Sequence, residues 1–93
     1  METEVSKAFA QLPNIGMTLA RELEQSGIQS IDALVEMGSN TASIAIEAHG
    51  FDICSSKLVA LEGAIQGMRW HELPEELRTR RWQAFQGPEG NAG

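Results

Sequence analysis

Leu12-Pro13-Asn14-Ile15-Gly16-Met17-Thr18-Leu19-Ala20-Arg21-Glu22-Leu23-Glu24-Gln25-Ser26-Gly27-Ile28 decides the fold. Pro13 fixes its own φ and pushes Leu12 out of the helical region, so a helix arriving from the N-terminal side stops there. Asn14 is the expected N-cap of the next helix, since its side chain can accept an orphan backbone N–H. Leu19, Ala20 and Leu23 share one helical face. Gly27 stands where a left-handed C-cap is wanted, and Ile28 can fold back on the last turn. Two helices joined by so short a turn form an αα-hairpin.

The flanks extend the same pattern. Val5, Ala8, Phe9 and Leu12 recur at helical spacing, which predicts a first helix over 3–11 with Glu2 and Glu4 near its positive end. Ser30 caps a third helix, Ile31–Met37, anchored by Leu34 and Val35 and stopped by Gly38. Ser39-Asn40 offers the next cap, followed by a fourth helix over Thr41–His49 that Gly50 ends. Cap, helix and glycine repeat, and the repetition reads as an all-α domain.

Asp52 is the expected cap of a fifth helix, Ile53–Met68. Its first stripe is Cys54, Leu58, Leu61, Ile65 and Met68; a second is Ala60, Gly63, Ala64 and Gly67. Two apolar faces place this helix centrally, and its glycines imply a backbone packed close against it. Arg69 to Glu72 leads to Pro74, an expected first helical residue, and a last helix runs to Phe85. Residues 86–93 are expected to form a disordered tail. The whole is one domain over 3–85, a bundle of five or six short helices.

Two stretches carry a family resemblance. One is the opening hairpin, which looks like a helix-hairpin-helix element. The other is Ala60-Leu-Glu-Gly-Ala-Ile-Gln-Gly-Met-Arg-Trp-His-Glu-Leu-Pro74. Together they resemble the C-terminal domain of the TfoX/Sxy family of bacterial competence (DNA transformation) regulators, across residues 5–85. The resemblance implies a SAM-like, helix-hairpin-helix-like fold and a role in transcription regulation. Full-length members are thought to promote DNA uptake alongside the cyclic-AMP receptor protein. They carry a further N-terminal α/β domain that these 93 residues lack, so a stand-alone C-terminal domain is expected.

Charge narrows the partners. The net charge is −6, which argues against broad nucleic-acid binding through phosphate neutralisation. Lys7, Arg21 and Lys57 are the only cations before residue 69, against nine carboxylates. From residue 69 onward four arginines balance four glutamates, so any cationic patch is expected to be local and near the C-terminus. Arg69, Arg78, Arg81 and Trp82 are the candidate partner-binding residues, for a protein partner such as transcription machinery or a second copy. Trp70 is expected to complete the core, and Arg80 to pair with Glu76 one helical turn earlier.

The candidate phosphate-contacting set in the hairpin is Asn14, Ile15, Gly16 and Arg21. DNA-binding hairpins usually carry glycine at both turn positions and a cation early in the second helix. Here Asn14 takes the first glycine's place, and Met17 and Thr18 precede the first cation, Arg21. Direct DNA binding is therefore the alternative reading, and a helix-packing corner the favoured one.

No catalytic residues, metal site or cofactor are expected. His49, Cys54 and His71 have no zinc-site spacing, and no nucleophile or phosphate-loop motif occurs. Cys54 is expected as a small buried hydrophobe. A single cysteine, no signal peptide and no apolar span imply a cytoplasmic protein with neither membrane nor small-molecule substrate as partner.

Overall fold

The computed structural model describes residues 3–92, with side chains described through Gln86; Glu2 and Gly93 lie outside the described residues. The described residues are all-helical. They form α1 (Glu4–Ala10), α2 (Met17–Gln25), α3 (Ile31–Ala48), α4 (Ser55–Gln66), a 3₁₀ turn (Trp70–Glu72) and α5 (Glu75–Ala92). α5 runs past Phe85, the expected helix end, through Ala92, so the disordered tail expected over 86–93 is helical as far as residue 92, and Gly93 lies outside the described residues.

α1 starts where its chemistry dictates. Thr3 accepts from the Ser6 N–H at 3.1 Å, and the Ser6 hydroxyl accepts from the Thr3 N–H at 2.9 Å, a reciprocal cap. Phe9 points inward and is fully buried. α2 then turns back along α1, with Leu19, Ala20 and Leu23 on the buried face. The Ile28 N–H donates to the Leu23 carbonyl at 3.1 Å and the Gly27 N–H to Glu24 at 3.0 Å, the Schellman pattern expected there. Ile28 is buried beneath that turn.

The expected third and fourth helices abut at Gly38 and together make up α3. Gly38, at φ 84° and ψ 166°, breaks the helical dihedrals inside α3. Only glycine enters that backbone region readily, so Gly38 stops the first helical stretch, as expected, and the second starts directly after it. Leu34, Ala42 and Ile46 face the core, whereas Val35 and Ile44 are exposed, contrary to the expected anchoring role of Val35. Ser39 and Asn40 do not cap. Their side chains reach Glu62 of α4 (2.6 Å) and the Arg81 carbonyl of α5 (2.9 Å), because the break at Gly38 turns them toward those helices.

α4 is the central helix, with Leu58, Leu61 and Ala64 buried. It begins at Ser55, two residues later than the pattern suggested. Asp52 does not cap it; the Asp52 carbonyl instead accepts from Lys57 Nζ at 2.8 Å. Cys54 occupies the N-cap position without a side-chain cap bond and is exposed, not buried, because it precedes the first helical turn. Gly67 is not interior either. It ends α4 in the left-handed conformation at φ 75°, which costs glycine little. Gly63 does face a close neighbour: a Cβ there would stand 2.5 Å from Asn14 Nδ2 and 2.8 Å from the Met68 carbonyl oxygen.

Candidate functional site

The expected hairpin site and the expected C-terminal site are physically connected, and Asn14 makes the connection. Asn14 adopts φ 70°, a left-handed conformation that asparagine tolerates better than most residues. Gly16 is the N-cap of α2 and supplies no side-chain cap bond. The Asn14 amide points across the molecule instead: Nδ2 donates to the Met68 carbonyl at 2.9 Å, and Oδ1 accepts the Trp70 N–H at 3.0 Å. The expected N-cap is thus a clamp on the segment after α4, made possible by the missing side chain at Gly63. Ile15 is buried in the core. Gly16 and Arg21 remain exposed, and Arg21 forms no ion pair among the described residues.

The clamped segment delivers Trp70 to the surface. Trp70 is 47% exposed, so it does not complete the core as the sequence suggested, whereas Leu73 just after the 3₁₀ turn is buried. The Arg78 guanidinium lies 5.6 Å from the Trp70 ring centroid, a cation–π arrangement. Trp82 follows Arg78 by one helical turn and stacks on Phe85 at 5.6 Å between ring centroids. Between α4 and α5 these residues border a groove of about 440 Å³, lined by Ser55, Ser56, Val59, Trp70, Glu75, Arg78, Thr79 and Trp82.

The four candidate partner-binding residues divide. Arg78 and Trp82 share the groove. Arg69 is exposed at the start of the 3₁₀ turn, where its backbone N–H donates to Glu72 at 3.2 Å. Arg81 turns to another face and binds Glu62 through Nε at 3.0 Å. Arg80 pairs with Glu76 at 2.9 Å, as its spacing predicted.

Glu62 is the hub of a polar cluster absent from the sequence reading. It is 6% exposed and accepts hydrogen bonds from Ser39, Gln66 and Arg81. Burial acts to raise its pKa, but the hydrogen bonds from Ser39 and Gln66, with the charge and hydrogen bond of Arg81, outweigh it. The carboxyl is held below its ordinary value. A shallow depression over Val35, Met37 and Ile65 opens onto this cluster, so Arg81 belongs to a joint between three helices rather than to the groove. Among the described residues, no three His, Cys, Asp or Glu side chains gather in a way that could hold a metal ion. None of the described helices is long and apolar enough to cross a membrane.

Part of this site was readable. Arg78 and Trp82 lie four residues apart on a helix, which places them on one face. The contribution of Trp70 was hidden, because an apolar side chain beside an apolar helix reads as core. The only advance signal for the clamp was glycine at position 63, which implied close backbone approach without saying by what.

Residues 5–83 match the TfoX C-terminal domain family. A crystal structure of an uncharacterized protein from Listeria monocytogenes, in a triclinic form, is 39% identical, with a TM-score of 0.80; the match covers 88% of this chain and 93% of that one. A tetragonal-form structure of a Listeria monocytogenes protein of unknown function is 38% identical with a TM-score of 0.78, covering 84% and 95%. No functionally curated protein matches the sequence significantly.

Proposed function

The chain belongs to the TfoX C-terminal domain family, and from that premise we propose that it is a non-enzymatic interaction module of the competence-regulator type. It acts in the cytoplasm by binding a protein partner in the α4–α5 groove. The observation that carries this reading is the convergence of Trp70, Arg78 and Trp82 on one open groove. Trp70 is exposed and Arg78 and Trp82 half-buried beside a partly apolar wall, and tryptophan and arginine are residue types that dominate protein-binding energy. The groove lining includes two serines but no histidine or lysine to activate them, which supports binding over catalysis.

The test is affinity capture from native lysate treated with nuclease. The double variant Arg78→Ala/Trp82→Ala is expected to keep its helical circular-dichroism signal and lose the captured protein. Unchanged capture would overturn the proposal. Arg81 is left intact, since it braces Glu62.

The exposure of Gly16 and Arg21 keeps a second reading in view, weak direct DNA binding through the hairpin. That reading requires duplex affinity that falls steeply with salt. Absence of binding at low salt would remove it.

A further inference from the structure

We propose that the groove's occupant is an acidic segment of a partner protein, carrying a carboxylate next to an aromatic or aliphatic side chain. This inference rests on the groove being the interaction surface. Of the three arginines on α5, Arg80 and Arg81 already hold carboxylates, at 2.9 and 3.0 Å. Arg78 forms no ion pair among the described residues, although Glu75 lines the same groove. Its Nε is buried and has no hydrogen-bond partner.

The guanidinium carbon sits 5.6 Å from the Trp70 ring centroid, and no Arg78 side-chain N–H is hydrogen-bonded among the described residues; with Nε buried, the two terminal nitrogens are the donors left for a partner. A planar, pre-positioned donor edge fits a carboxylate, which can accept two parallel hydrogen bonds. Val59, Trp70 and Trp82 supply the apolar surface for a neighbouring side chain.

Charge distribution selects the size of the occupant. The nine carboxylates before residue 69 give the chain its net −6, while the stretch from 69 onward is balanced. A short acidic segment confined to the balanced end escapes most of the repulsion, because exposed charges are screened beyond about 8 Å at physiological salt. A DNA duplex or a second copy extends its negative charge over the acidic remainder of the surface.

The experiment is affinity selection from a randomised twelve-residue peptide library on the full chain and on its Arg78→Gln, Arg78→Lys and Trp82→Ala variants. Each variant is first checked for helical content. If Trp82→Ala loses it, Thr79→Leu, which crowds the exposed groove wall without adding charge, takes its place. Peptides rich in Asp or Glu beside Phe, Trp or Leu are expected. Arg78→Gln should weaken them by about tenfold, and Arg78→Lys by less.

Recovery of neutral or basic peptides that depend on Trp82 but not on Arg78 would overturn the acidic-partner inference and leave the groove an interaction surface. Recovery of nothing, or of peptides indifferent to every variant, would overturn both. A random DNA duplex that perturbs tryptophan fluorescence where the peptides do not would overturn it in favour of nucleic acid.

Discussion

Asn14 and Trp70 are 56 residues apart and share a hydrogen bond, so one turn residue governs how the surface tryptophan is presented. The site depends on what Gly63 lacks. Gly63→Ala must displace the Asn14 amide or the Met68 carbonyl, and is expected to cost about 1–3 kcal/mol in urea unfolding. Asn14→Ala loses two hydrogen bonds and adds left-handed strain, for about 2–3 kcal/mol. Asn14→Gly loses the same bonds without the strain and should be about 1 kcal/mol milder. An equal cost for the two would refute the conformational part of this account. The sequence showed that position 14 belonged to a turn. It did not show that the side chain was engaged elsewhere, because capping is a local rule and this partner is remote.

At the level of elements, helix identities were legible because glycines and caps punctuate them, whereas the polar joints between helices were not. Gly38 was readable as a break, and it is one; that the second stretch of α3 starts directly after it, with Ser39 and Asn40 gripping α4 and α5, was not. Gly38→Ala forces a side chain into a region hostile to it and should lower stability by about 1–3 kcal/mol, measured by urea denaturation.

Glu62 offers a pH test. Its folded pKa lies below the ordinary 4.5, so its stabilising contribution is complete above that value and fades as pH falls through the folded pKa. Stability followed by urea unfolding should therefore decline on acidification below about pH 4.5. Glu62→Gln should flatten that decline. An unchanged slope in the variant would show that other carboxylates set it.

For the whole molecule, the hairpin is a joint that holds the 68–70 segment, and the groove proposed as the partner surface lies between α4 and α5. Fold class, and the location of the basic and aromatic residues, could be read from periodicity and charge distribution. The division of the arginines between a helix joint and an open groove required three-dimensional contacts. The most direct test places a photo-activatable cross-linking residue at Thr79 in the groove, or at Arg21 beside the hairpin, in chains exposed to nuclease-treated native lysate. A protein adduct is expected from position 79 and none from position 21. An adduct from position 21 with none from position 79 would contradict the assignment of the groove as the partner-binding surface.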